Sequence, residues 1–210
     1  MIDYSLYLCT NSEMNHQYKI EECVEQAILG GVTFVQIREK EKSDEELLEE
    51  AIRIKKITDK HNIPLVINDN VDIAKKINAD GVHIGQDDMS CEEARKILGT
   101  DKIIGVSVRT LDEAKKAIRA GANYLGVGAI YQSKTKKDAK VVGLDELRRI
   151  SEYSSIPVVV IGGINEDTIE TFKGINIDGY AMIRPILANN RIKECTEKLK
   201  KLILNNKQSI

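Results

Sequence analysis

Eight short apolar runs rich in β-branched residues punctuate the chain: SLYLCT, TFVQIR, PLVIND, GVHIG, IIGVS, YLGVGA, IPVVVIGG and GYAMI. Between them lie stretches whose apolar residues return every three or four positions. The clearest spans 17–29, where Ile20, Cys23, Val24, Ala27 and Ile28 share one face. The pattern therefore switches repeatedly from the period of a strand to that of a helix. Strict alternation of this kind requires a parallel sheet with right-handed crossovers, and eight strand–helix units in about 200 residues fit an α/β fold, the closed (β/α)8 TIM barrel. A doubly wound open sheet is the alternative.

Local signals agree with that order. Ser43 with Glu46, Ser90 with Glu93 and Thr110 with Glu113 are spaced as capping boxes, each able to satisfy two backbone donors at a helix start. Gly30, Gly99, Gly121 and Gly174 follow the helical stretches, where a left-handed residue closes a helix at least cost. The segments ADGVHIG, ANYLGVG and IDGYAMI resemble one another, a weak echo of a repeated unit. No Pro/Gly/Ser-rich linker interrupts the chain, so residues 1–210 read as a single barrel domain.

Composition excludes several classes of function. The formal net charge is -2 with Lys and Glu interspersed, which is not the footprint of a nucleic-acid binder. No stretch approaches the ~20 apolar residues that cross a bilayer, and the N-terminal residues do not read as a secretion signal. A cytoplasmic protein is expected. Cys9, Cys23, Cys91 and Cys195 lack the spacing of a zinc site and fall at apolar positions, which suits reduced core thiols; a catalytic cysteine is the lesser alternative.

The run FVQIREK places Gln36, Arg38 and Lys40 on one side and Val35, Ile37 and Glu39 on the other. In a barrel the apolar pair packs under helices, and the polar set lines the interior and rises towards the C-terminal mouth. Two cations buried without partners are costly, so an anion should meet them, unless Glu39, Asp69 or Asp88 pairs with them structurally. VIND ends with Asn68 and Asp69, and HIGQDD carries Asp87 and Asp88 just past the next strand. One or two carboxylates with room for waters and phosphates suit Mg²⁺. Spacing does not choose between Asp87 and Asp88, and each carboxylate could instead cap the helix that follows. The loop AIYQSKTKKDAKVVG carries Ser133, Lys134, Thr135, Lys136, Lys137 and Lys140, donors that suit phosphate oxygens. IGGI after the seventh strand and MIRPI after the eighth lie where barrels bind phosphate, and Ser107 adds a hydroxyl. His83 fits packing or orientation better than proton transfer. Phosphorylated small molecules are the expected partners.

VQIREK, VIND, ADGVHIGQDD, IIGVS, YLGVGAIYQSKTK and VVVIGGI, in this order and spacing, resemble the thiamine-phosphate synthase family, from about Ser5 into the last helix. The resemblance implies a (β/α)8 enzyme that joins 4-amino-2-methyl-5-hydroxymethylpyrimidine diphosphate to 4-methyl-5-(2-phosphoethyl)thiazole, giving thiamine phosphate and pyrophosphate with Mg²⁺. It implies that Gln36 contacts the pyrimidine and that Arg38, Lys40, Asn68, Ser107 and Lys136 hold the diphosphate, with Arg38, Lys40, Ser107 and Lys136 acting on the leaving group. Asp69 and Asp88 would bind Mg²⁺. Ser133 and Thr135, with the backbone at Gly163 and near Ile183 and Arg184, would hold the thiazole phosphate. The implied route is dissociative and needs no protein base. A homo-oligomer is compatible with it.

The chain also departs from the family pattern. Arg184-Pro185 stands where Ser-Ala is frequent, Ala129 and Gln132 stand where proline is usual, and Arg109 stands where histidine is usual. The related thiazole tautomerase relies on a histidine near position 109 and lacks the acidic pair, so Asp69 and Asp88 favour the synthase. A non-catalytic barrel that senses thiamine intermediates is a further alternative, raised by Arg184-Pro185.

Overall fold

Each apolar run forms a strand whose outward residues meet helices and whose inward residues fill the barrel. The computed structural model describes residues 2–15, 17–132 and 140–207. The elements run β1 (Leu6–Cys9), α1 (Ile20–Leu29), β2 (Phe34–Ile37), α2 (Asp44–Lys60), β3 (Leu65–Asn68), α3 (Val71–Lys76), β4 (Gly81–Ile84), α4 (Cys91–Leu98) and β5 (Ile103–Val108). They continue with α5 (Leu111–Arg119), β6 (Tyr124–Val127), α6 (Leu144–Tyr153), β7 (Val158–Ile161), a 3₁₀ segment (Ile169–Phe172), β8 (Gly179–Met182), α7 (Arg184–Leu187) and α8 (Ile192–Lys207). The strands pair in parallel and in sequence order, and β8 returns to β1 to close the barrel.

The register sorts side chains into two layers. Leu8, Val35, Leu65 and Ile67 join the apolar layer beneath the helices, as expected for Val35 and Ile37. The opposite parity builds the barrel interior, where Tyr4, Tyr7, Phe34 and Tyr124 pack with Cys9, Val66, Ile103, Val159 and Ala181. Ring centroids of Tyr7 and Phe34 lie 4.6 Å apart, and those of Tyr4 and Tyr124 lie 4.9 Å apart, so aromatic contact fills the barrel. Towards the mouth the same parity presents Gln36, Asn68, His83 and Ser107.

Four local expectations change. α1 starts at Ile20 rather than at residue 17, because the Asn15 side chain accepts from the Gln17 and Tyr18 N–H groups and holds a turn there. Ser43 and Ser90 form complete capping boxes. Thr110 caps α5, but the Glu113 carboxylate accepts from the Arg109 N–H, so the third box is not reciprocal. At the end of α1 the left-handed residue is Gly31, with φ 109°, whereas Gly30 is right-handed. A Cβ at Gly30 would lie 2.6 Å from the Lys193 carbonyl oxygen, so this glycine serves the approach of α8. Finally, the β7–β8 connection is a 3₁₀ segment rather than an α-helix. Ile169 and Phe172 are buried at a spacing of three, which a threefold helix places on one edge.

Candidate active site at the barrel mouth

Arg38 and Lys40 follow directly on the end of β2. The Arg38 N–H donates to Thr10 Oγ1 at 3.0 Å, which ties the end of β2 to the end of β1 and leaves the side chain half-buried. Glu39 points away from the site and accepts from the Ser12 N–H and from Ser12 Oγ, at 2.9 Å and 2.8 Å to Oε2. It is therefore spent on the loop after β1. Lys40 Nζ lies 3.5 Å from Asp69 Oδ2, with the two side chains 50% and 32% exposed. A pair this open contributes at most about 1 kcal/mol, too little to account for the cluster as structural support.

Asp69 and Asp88 are not helix caps. Asn70 caps α3 and Ser90 caps α4, so both carboxylates are released from that role. Asp69 adopts φ 62°, a left-handed conformation uncommon outside glycine, while its N–H donates to the His83 carbonyl at 2.8 Å. Asp88 Oδ2 accepts from the Gly85 N–H at 2.7 Å. Burial raises the Asp69 carboxyl above its ordinary pKa, and its hydrogen bond with Asp88 and the charge of Asp88 raise it further, against the pull of Lys40. The structure thus brings Asp88 to Asp69, whereas Asp87 is exposed and makes no hydrogen bond or ion pair with the described residues. A carboxylate pair of this kind, with Lys40 beside it, forms a donor set that a hard divalent cation fits, with waters or phosphate oxygens completing its shell. No group of three or more His, Cys, Asp or Glu side chains suited to a metal occurs among the described residues.

Behind this rim lies a buried polar chain. Gln36 Nε2 donates to Tyr7 Oη at 2.6 Å, Tyr7 Oη meets Tyr124 Oη at 2.7 Å, Tyr124 Oη meets His83 Nδ1 at 2.8 Å, and His83 Nε2 meets Ser107 Oγ at 2.8 Å. Burial lowers the His83 pKa to about 4 and keeps both tyrosines protonated. His83 is therefore a neutral, orienting ring. Sequence reasoning missed Tyr7 and Tyr124. The signal was present: Tyr7 lies between Leu6 and Leu8, and Tyr124 precedes Leu125, so each ring falls at an inward strand position where a buried hydroxyl needs a partner. Burial also pushes the Cys9 thiol up to about 12, so no thiolate forms there at neutral pH, and the cysteine alternative falls at this position.

The opposite side of the mouth is formed after β6, β7 and β8. Gly162 and Gly163 have φ 95° and 68°, and a Cβ on either would come within 2.5 Å of Ala129 or Tyr131 side-chain carbon. These glycines thus let the β6 loop close over the end of β7. Ile183 precedes α7, and Arg184 is exposed at its first position. Pro185 falls in the first turn, where a missing N–H breaks no intrahelical bond. Arg109 is exposed after β5. Ser133, Thr135 and Lys136 lie outside the described residues.

Barrels of this type work at the rim where these groups converge, and the fold with its charged mouth defines a (β/α)8 enzyme. Comparison with known proteins makes this specific. The model of the family described as thiamine monophosphate synthase matches residues 6–186. A thiamine-phosphate synthase of Clostridium botulinum is 54% identical over 199 residues, covering 95% of this chain and 93% of the relative. One of Clostridium beijerinckii is 51% identical over 199 residues, covering 95% of each. The solved thiamine phosphate pyrophosphorylase of Pyrococcus furiosus superposes with a TM-score of 0.88 at 35% identity, covering 96% of both chains. The chain belongs to the thiamine monophosphate synthase family, whose members are alkyl-transferring enzymes of thiamine biosynthesis. No helix among the described residues is long and apolar enough to cross a membrane.

Proposed function

We propose that this chain condenses 4-amino-2-methyl-5-hydroxymethylpyrimidine diphosphate with 4-methyl-5-(2-phosphoethyl)thiazole, releasing thiamine phosphate and pyrophosphate, with Mg²⁺ as cofactor. The observation that carries the reading is the Asp69–Asp88 carboxylate pair set beside Lys40 at the mouth of a barrel of this family. Residues 1–210 are read as one domain, acting in the cytoplasm as a monomer or homo-oligomer. Four free thiols support a reducing compartment.

Asp69 and Asp88 would hold Mg²⁺, which when bound supplies positive charge to the leaving diphosphate. Arg38, Lys40, Asn68, Ser107 and Lys136 would hold the same group by charge and hydrogen bonds, strengthening their grip as the C–O bond to the pyrimidine methylene breaks and its electron pair leaves with the diphosphate. Gln36 would fix the aminopyrimidine, whose electron-rich ring stabilises the cation left behind. The thiazole nitrogen lone pair then forms the new C–N bond. Ser133, Thr135, the Gly163 backbone, Ile183 and Arg184 would hold the thiazole phosphate. No proton moves to or from the protein in this sequence, which agrees with a neutral, orienting His83.

Treatment with a chelator tests the metal's part. Turnover should vanish in EDTA and return with added Mg²⁺. An undiminished rate in EDTA would overturn the Mg²⁺ reading.

A further inference from the structure

The buried chain from Gln36 to Ser107 has a direction. An amide nitrogen can only donate, so Tyr7 Oη accepts from Gln36 Nε2, and its single hydroxyl proton is left for Tyr124 Oη. Tyr124 then directs its own proton to His83 Nδ1. A neutral imidazole that accepts at Nδ1 carries its proton at Nε2, and that proton goes to Ser107 Oγ. The Ser107 hydroxyl, satisfied as an acceptor, has its own proton free to point elsewhere. The opposite amide orientation would reverse every bond, and Ser107 would then spend its proton on His83.

The barrel is shaped to house this relay. Gly105 and Gly126 occupy inward positions of β5 and β6. A Cβ at Gly105 would fall 2.1 Å from Tyr124 Cζ, and one at Gly126 would fall 2.7 Å from His83 Cε1. Two strands thus give up a side chain where the two rings need space. Gln36 is 4% exposed and His83 9%, so water competes little for these bonds.

We infer that Tyr7, Tyr124 and His83 are positioning residues that transmit the orientation of the Gln36 amide to Ser107 and make its hydroxyl a hydrogen-bond donor towards the mouth. Resting on the proposed function, this couples the pyrimidine end of the site to the diphosphate end: the same chain that orients Gln36 aims a proton at an anionic oxygen. A serine acting as donor suits diphosphate, whereas one that gave its proton to histidine would offer the anion a lone pair.

The test uses the full ¹⁵N-labelled chain. His83 is identified by loss of its signals in His83→Asn, and its ring nitrogens report the tautomer directly. The Nε2–H form is expected in the wild type, and the Nδ1–H form would overturn the inference. Tyr124→Phe, and Tyr7→Phe should the first fail to fold, should mix the tautomers and raise KM for the pyrimidine diphosphate about tenfold, the size of one lost hydrogen bond, with KM for the thiazole phosphate unchanged. Equal rises in both KM values, or an unmixed tautomer with unchanged KM, would reduce the chain to structural support. Because the tautomer is read in the free protein, a wild type that formed no thiamine phosphate would remove the proposed reaction while the NMR result still decided the relay.

Discussion

Asp88 sits close enough to Asp69 to add to the rise in pKa that burial causes, and positive charge placed between the two carboxylates would relieve that repulsion. Asp88→Asn removes it while keeping an oxygen for the Gly85 N–H. Mg²⁺-dependent turnover is expected to drop by about 100-fold or more, whereas thermal unfolding without metal should stay put or rise by about 2 °C. A variant with wild-type rates would contradict the metal role of Asp88. Arg184 is exposed at the start of α7 and its side chain makes no hydrogen bond or ion pair with the described residues. Arg184→Ser should change KM for the thiazole phosphate more than KM for the pyrimidine diphosphate, and equal effects on both would place Arg184 elsewhere. His83 predicts a pH dependence. Its folded pKa is lowered to about 4 from 6.5, so the unfolded chain takes up a proton first as pH falls. The stability associated with the neutral ring is complete above about pH 6.5 and is lost as pH falls towards 4. Denaturant titrations across that window should show a shallower decline for His83→Asn than for the wild type; identical slopes would contradict the burial of a neutral ring.

Among the elements, those with periodic or capping signals were readable in advance and the others were not. The alternation in FVQIREK assigned Val35 and Ile37 to the helix side because a strand offers only two faces. Ser43 announced α2 through a motif whose two bonds are local, and Ser43→Ala should cost about 1 kcal/mol in chemical denaturation. The 3₁₀ segment after β7 escaped because its apolar spacing is compatible with either helix type until packing chooses. Likewise Gly105 looked like an ordinary strand glycine. Its purpose depends on Tyr124, which reaches across from the next strand. Gly105→Ala should destabilise the protein by about 2 kcal/mol or more, and a smaller cost would mean that the Tyr124 ring has room to move.

For the molecule as a whole, barrel closure followed from counting alternating units, and the mouth followed from where the polar ends of the strands must emerge. The rim carboxylates and cations stood within recognisable motifs for that reason. The interior relay did not, because Tyr7, Gln36, His83, Tyr124 and Ser107 come from five strands and meet only once the barrel closes. Choosing Asp88 over Asp87 also needed the conformation of the loop after β4. Under the proposed function, charge at the mouth and the inferred relay behind it would together grip a diphosphate as it leaves. The most direct test is to incubate the protein with both proposed substrates and Mg²⁺ and to quantify thiamine phosphate and pyrophosphate in the same sample. Equal yields of the two products are predicted. Binding of either substrate without formation of thiamine phosphate would contradict the account.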